Sequence, residues 1–181
     1  EKALSYSYKS PVRAEGLQRL LYMCPSCHSI GTITTKGNRI FCSHCNGQGI
    51  LTEKDNIESL DFSPKTMKEW HKWEEEEVGK LEGLKKEHGV LFQTGKNNVE
   101  LEDISKDINV SLSNNNIVVE TKVNGVYNIP LEDTTSLILN AKQTMELFCK
   151  GVLYRIRLEP DSSSLKYFEY YKAYCRRRDN V

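Results

Sequence analysis

The chain has 181 residues, and its 25 Lys and Arg residues balance its 25 Asp and Glu residues. This balance excludes the strong overall positive charge of many nucleic-acid-binding proteins, so affinity for nucleic acid or an anionic membrane would need a local basic patch. Hydrophobic residues make up 38% of the chain and charged residues 28%, which indicates a folded globular protein rather than a disordered one. No apolar run approaches the roughly 20 residues that a membrane-spanning helix needs.

Residues 1–20 form a polar segment that we interpret as a connector. The segment lacks the basic start and apolar stretch of a secretory signal peptide. Because the chain begins with Glu1 rather than Met, we expect it to be a piece of a longer protein whose missing part carries the main activity. Of the six cysteines, four lie in two close pairs, and the isolated Cys149 and Cys175 are expected in the core. Paired thiols favour a metal and a reducing, cytoplasmic location over a disulfide framework.

Two Cys-x-x-Cys motifs follow the connector. Cys24 and Cys27 form the first motif, and Cys42 and Cys45 form the second after fourteen intervening residues. Each motif offers two thiolates from one tight turn, and two such turns fill the four tetrahedral positions around one Zn²⁺. The turn sequence at residues 36–38 separates two strand-like segments, which predicts a β-hairpin that brings the motifs face to face. The pattern predicts a zinc ribbon over residues 21–58 with one structural Zn²⁺ and no open position for catalysis.

Other readings of the cysteines are less complete. The segment from Cys24 to His28 matches a haem-attachment pattern, but that reading leaves the second pair unexplained. A redox Cys-x-x-Cys motif expects a βαβ context rather than a hairpin. A rubredoxin-like iron site uses the same ligands and stays open. His28 and His44 are expected beside the metal rather than on it, because four cysteines already complete the tetrahedron. Gly47 and Gly49 are expected to give the second turn its backbone freedom.

Residues 59–87 are predicted to hold a linking helix. Ser63 and Pro64 are typical of a helix start, and the helix is expected to run to about Leu84. Trp70 and Trp73 belong to a broken apolar stripe that predicts packing, and the four glutamates at residues 74–77 predict a solvated face.

Residues 88–181 show strand-like patterning interrupted by Asn and Gly turns. The predicted strands lie at residues 89–92, 99–101, 108–112, 117–121, 126–129, 137–139, 145–148 and 152–158. A final amphipathic helix is expected after Asp161 and Ser162, along which Leu165, Phe168, Tyr171 or Lys172, and Cys175 fall at helical spacing. The predicted class is therefore α+β, mostly β: a zinc ribbon, a linking helix and a small antiparallel barrel or sandwich of about seven strands with a C-terminal helix. This is the plan of a pleckstrin-homology-like domain.

Residues 8–27 (YKSPVRAEGLQRLLYMCPSC) and 34–42 (TTKGNRIFC) resemble the region after the catalytic domain of certain bacterial 1-acyl-glycerol-3-phosphate (lysophosphatidate) acyltransferases. In that family a membrane-bound acyltransferase domain is followed by a ribbon and a small extra domain. The resemblance is best over residues 8–45 and only architectural from residue 64 onward. The catalytic His-x4-Asp motif of the family is absent here, since none of the four histidines is followed by Asp five residues on.

The resemblance implies a non-catalytic accessory module of a phospholipid-synthesis acyltransferase, placed at the inner face of the membrane by the missing N-terminal part. It implies contacts with that acyltransferase domain, another protein or the membrane surface. Phosphoinositide recognition is not expected, because residues 100–107 carry four acidic side chains. Arg176 to Arg178 are expected to complement the dipole of the last helix rather than meet lipid headgroups.

Two alternatives stay beside this reading. In the first, the ribbon binds nucleic acid through Lys36, Arg39 and Phe41, although the neutral overall charge counts against it. In the second, the chain is a protein–protein adaptor that docks through an exposed face with Trp70 and Trp73, or through an edge strand of the β domain.

Overall fold

The computed structural model describes residues 7–94, 100–140 and 143–179. The chain divides into two compact units, Glu1–Glu76 and Glu77–Val181, called here the first and second units. The described residues form eleven β-strands and two α-helices. The predicted mostly β class, with a seven-stranded antiparallel sheet and a C-terminal helix, is confirmed.

The first unit contains a four-stranded antiparallel sheet whose strands lie side by side in chain order. The strands are β1 (Ile33–Lys36), β2 (Arg39–Cys42), β3 (Gln48–Leu51) and β4 (Ile57–Glu58). β1 and β2 form the predicted hairpin, in which Lys36 pairs with Arg39 across the turn. One face of the sheet is apolar and buried, and its side chains belong to Ile33, Ile40, Leu51 and Ile57.

The segment predicted as a polar connector is part of the first unit. The N–H of Ala14 donates to the carbonyl of Gly37 at 2.9 Å, and a 3-10 turn at Leu17–Arg19 follows. Thr35 of β1 donates its hydroxyl to Gln18 at 2.6 Å. These bonds join residues 14–18 to the β1–β2 hairpin, so composition alone misses an ordered contact between them.

Helix α1 spans Met67–Val78 and is shorter than predicted at both ends. Its N-terminus lies not at Ser63 and Pro64 but at Thr66, whose hydroxyl accepts the N–H of Glu69 at 3.1 Å. The carboxylate of Glu69 accepts the N–H of Lys65 at 2.8 Å, one residue before the N-cap N–H that a standard capping box uses. The helix ends at Val78, and the next strand begins at Gly83 rather than near residue 89.

The second unit is a curled sheet of seven antiparallel strands. The strands are β5 (Gly83–Thr94), β6 (Leu101–Ser113), β7 (Asn116–Thr121), β8 (Gly125–Pro130), β9 (Thr134–Leu139), β10 (Thr144–Cys149) and β11 (Val152–Leu158). Their order is β8-β7-β6-β5-β11-β10-β9, so the first and last strands are neighbours in the middle of the sheet. The strands predicted at residues 99–101 and 108–112 are parts of one long strand, β6; Val99 lies outside the described residues.

Helix α2 spans Leu165–Asp179, beginning three residues after the predicted cap at Ser162. The predicted stripe does not carry the most buried side chains of this helix, since Leu165, Phe168, Tyr171, Lys172 and Cys175 are all partly exposed. The residues buried in α2 are Lys166, Tyr167, Glu169 and Tyr170.

The buried face of α2 carries polar side chains whose ends have hydrogen-bond or ionic partners. The hydroxyl of Tyr170 donates to Asn115 Oδ1 at 3.2 Å, and Lys166 Nζ lies 2.6 Å from Glu87 Oε1 in β5. Long side chains can thus bury apolar stems while their polar ends stay bonded. A sequence pattern based on apolar residues alone therefore does not predict that this face is buried. Neither α1 nor α2, the helices of the described chain, has the length and apolar character to cross a membrane.

Candidate metal centre

The four cysteines predicted as metal ligands lie together in the first unit. The Sγ atoms of Cys24, Cys27, Cys42 and Cys45 all lie within 4.8 Å of one another. Two Sγ–Sγ distances, Cys24 to Cys45 and Cys27 to Cys42, are 3.7 Å. A regular tetrahedron with metal–sulfur bonds of about 2.3 Å has edges of about 3.8 Å, whereas a disulfide bond is about 2.05 Å long. The four thiols are therefore unbridged and can hold a metal ion.

Two backbone hydrogen bonds hold the first cysteine turn (residues 24–29). The carbonyl of Cys24 accepts the N–H of His28 at 2.8 Å, and the N–H of Cys24 donates to the carbonyl of Ser29 at 3.0 Å. His28 has φ +57°, a left-handed conformation that lets the chain reverse after the second ligand. These bonds point the side chains of both cysteines in the turn toward one centre.

The second cysteine turn (residues 42–47) repeats this arrangement eighteen positions later. The carbonyl of Cys42 accepts the N–H of Asn46 at 3.0 Å, and the N–H of Cys42 donates to the carbonyl of Gly47 at 2.9 Å. Asn46 has φ +61°, matching His28. The two motifs thus supply their sulfur atoms from turns of nearly equal geometry, the arrangement that a four-sulfur tetrahedron needs.

Gly47 and Gly49 serve a different purpose from the predicted backbone freedom. Neither has a positive φ. A Cβ atom at residue 47 would lie 2.8 Å from the ring of Phe62, and one at residue 49 would lie 3.0 Å from it. The buried Phe62 ring therefore packs directly on the backbone beside the second cysteine turn.

The two histidines next to the motifs lie outside the sulfur cluster. The His28 and Trp73 rings pack in a T-shaped arrangement, with ring centroids 5.1 Å apart. His44 lies within hydrogen-bonding reach of Cys27. Among the residues that the structure describes, the four cysteines form the sole group of three or more His, Cys, Asp or Glu side chains arranged for a metal. Cys149 in β10 and Cys175 in α2 do not belong to it.

The thiols differ in acidity. Burial raises the pKa of Cys24 to about 12. Burial acts in the same direction at Cys27, but hydrogen bonds from the hydroxyl and backbone of Ser29 outweigh it and lower the pKa to about 5. Four thiolates crowded this closely need a compensating cation, and protons compete with that cation as the pH falls.

Helix α1 contacts the residue directly before the first ligand. Trp70 Nε1 donates a hydrogen bond of 2.9 Å to the carbonyl of Met23, and the N–H of Met23 donates to Glu74 Oε1 at 2.7 Å. Trp70 and Glu74 are both 0% exposed. The sequence reading placed Glu74 on a solvated face, and this is wrong. Its spacing of four residues from Trp70, which puts both on one helix face, is the signal that was available.

The chemistry that this centre offers follows from its donor set. Four sulfur atoms occupy all corners of a tetrahedron, so a metal here has no position for water or a substrate. That closed ligand set is typical of a structural metal site.

The comparison with known proteins adds no relative: no family model, no curated protein and no solved structure matches the chain.

Proposed function

We propose that Cys24, Cys27, Cys42 and Cys45 bind one structural Zn²⁺ and that residues 21–58 form a zinc ribbon. The observation that carries this proposal is the sulfur cluster, with its two edges of 3.7 Å. Four thiolates suit both Zn²⁺ and iron, so geometry alone does not choose between them. Zinc is favoured because it is the metal of most structural sites built from two Cys-x-x-Cys turns.

Metal analysis of the purified chain tests this proposal. We expect about one zinc per chain, with neither iron nor the visible absorbance of an iron–thiolate site. Cys42→Ser should lose the metal, whereas the matched control Cys149→Ser, outside the cluster, should keep it. An iron content near one per chain, or equal zinc in both variants, would contradict the assignment.

The β domain of the proposed module is pleckstrin-homology-like. Its support is the strand order, in which seven antiparallel strands form a curled sheet, the first strand pairs with the last, and one helix follows. Aliphatic side chains from both halves of the sheet are buried, among them Val110, Ile117, Leu147 and Ile156, as the core of such a domain requires. Such a domain offers its outer faces for contacts.

The proposed role is a non-catalytic accessory module of a phospholipid-synthesis acyltransferase, at the inner face of the membrane. Residues 8–45 support it through their resemblance to that family. The partner is the acyltransferase domain of the same polypeptide, and the outer face of the second unit supplies a suitable surface. There Ile138 and Phe148 are 51% and 41% exposed on neighbouring strands.

The reading frame upstream of Glu1 tests the acyltransferase assignment. A preceding domain of about 200 residues with a His-x4-Asp motif would support it. Deleting the module from that longer protein should then reduce its activity, its membrane association or its stability. A start codon directly before Glu1 would overturn the assignment and leave a free-standing zinc-binding protein.

The two alternatives fare differently. The docking face with Trp70 loses its basis, because Trp70 is completely buried, whereas docking through an edge strand of the β domain stays a prediction. Nucleic-acid binding keeps one supporting observation: Lys36 and Arg39 are exposed and paired at the tip of the β1–β2 hairpin. A filter-binding assay would favour it only if oligonucleotide affinity were micromolar or tighter and fell steeply with salt.

A further inference from the structure

We infer that Trp70 and Glu74 are positioning residues of the metal centre, acting through the backbone of Met23. The inference rests on the proposed metal binding. The two side chains lie one helical turn apart on α1 and bind the carbonyl and the N–H of the same residue, at 2.9 and 2.7 Å. Met23 directly precedes the ligand Cys24, so these bonds fix where the first cysteine turn begins.

The two hydrogen bonds to Met23 are buried, so their loss would carry a large energetic cost. Met23, Trp70 and Glu74 are all 0% exposed. Water therefore cannot replace a lost partner without opening the structure, and an unbonded N–H or carbonyl here would be costly. The backbone can avoid that cost only by moving, and a movement at Met23 displaces the adjacent Cys24 from the tetrahedron.

The first cysteine turn depends on α1 more than the second turn does. Besides the bonds to Met23, Trp73 of the same helix contacts the His28 ring. The second turn instead continues β2, and the N–H of Ser43 donates to the carbonyl of Thr32 at 2.8 Å. The sheet thus orders one half of the ligand set, and the helix orders the other half.

Two consequences follow. Removing either bond should weaken metal binding by about 10-fold to 100-fold, the usual effect of losing groups that orient metal ligands. By linkage, metal binding should in turn strengthen the docking of α1 on the first cysteine turn. The chain reports this docking directly, because its two tryptophans, Trp70 and Trp73, both lie on α1.

The test measures Zn²⁺ affinity of the full chain by competition with a chromophoric chelator. Trp70→Phe keeps an aromatic ring but loses the donor, and Glu74→Leu loses the acceptor. Glu74→Gln keeps an acceptor oxygen and should restore most of the affinity. Glu76→Leu, at an exposed position of the same helix, is the matched control and should bind as the wild type does.

Co²⁺ substitution adds a readout that general destabilisation would not change. Trp70→Phe and Glu74→Leu should alter the Co²⁺–thiolate bands at saturating metal, because the Cys24 sulfur is displaced, whereas Glu74→Gln and Glu76→Leu should not. Chelation of the wild type should shift tryptophan emission to the red as α1 leaves the turn. If Trp70→Phe does not fold, the comparison of Glu74→Gln with Glu74→Leu carries the test.

The outcomes separate the two proposals. A wild-type chain that binds no Zn²⁺ or Co²⁺ contradicts the metal site itself. A wild-type chain that binds one ion, with equal affinities and spectra for Trp70→Phe, Glu74→Leu and Glu76→Leu, overturns the positioning role alone. Glu74→Gln as weak as Glu74→Leu would also overturn the role of the Glu74 acceptor.

Discussion

If the four cysteines hold the proposed Zn²⁺, chelation should unfold the first unit and leave the second unit folded. A unit of about 70 residues has roughly 4–10 kcal/mol of stability at the usual values per residue. Binding of a structural Zn²⁺ by two cysteine pairs contributes about 10–16 kcal/mol. The metal term therefore equals or exceeds the whole stability expected for the first unit. The second unit has no cysteine of the cluster and should not respond.

Hydrogen exchange with mass spectrometry measures both units in one sample. After chelation, residues 23–58 should exchange at nearly the rate of an unfolded chain, while β6 and β10 keep their protection. Adding Zn²⁺ back should restore protection in the first unit. The double variant Cys149→Ser/Cys175→Ser, still carrying the four clustered cysteines, excludes oxidation elsewhere as the cause. Unchanged protection of β2 and β3 in the metal-free chain would refute the reasoning.

Three further predictions concern packing and charge. Phe62→Ala should cost the zinc-loaded first unit about 3–5 kcal/mol, because a fully buried ring is lost; a urea midpoint equal to the wild type would contradict this. Gly83→Ala should destabilise the second unit by about 1–3 kcal/mol, because its Cβ would lie 2.2 Å from a backbone carbonyl oxygen of β6. Thermal melting, with Gly151→Ala in an open turn as control, measures the difference. Burial acts to raise the pKa of Glu146, but hydrogen bonds from Asn140 and Arg155 outweigh it and lower the pKa. The stabilisation is therefore present above the pKa of the unfolded chain and lost as the pH falls through the lower folded pKa. Urea unfolding at pH 7 and pH 3 should show a smaller loss for Glu146→Gln than for the wild type, and equal losses would contradict it.

The sequence was most informative where the spacing of residues along the chain determines which side chains can meet. Two Cys-x-x-Cys motifs joined by a short hairpin have few ways to meet, so the cluster of Cys24, Cys27, Cys42 and Cys45 could be predicted from spacing alone. The turns of the second unit were also predictable, because Asn and Gly mark reversals of the chain. Asn114 and Asn115, for example, have φ +49° and +57° between β6 and β7.

The sequence was less informative where tertiary contacts choose between local signals. The sequence predicts a helix start at Ser63 and Pro64, but in the fold the hydroxyl of Thr66 caps the helix instead. Glu74 looks like part of an acidic surface until the fold places the N–H of Met23 against it. The buried face of α2 was missed because tyrosine and lysine are buried there, and their polar ends find partners that only the folded sheet provides.

The pairing of β5 with β11 bears on how the chain folds during synthesis. Leu91 pairs with Ile156, a separation of 65 residues (156 − 91), whereas β5 and β6 are joined directly along the chain. During synthesis the edge of β5 that pairs with β11 therefore stays unpaired until nearly the whole second unit has left the ribosome. Non-local pairing of this kind slows folding and exposes a strand edge to other chains. The sheet of the first unit pairs its strands in chain order. The first unit can therefore fold before the strands of the second unit are synthesised.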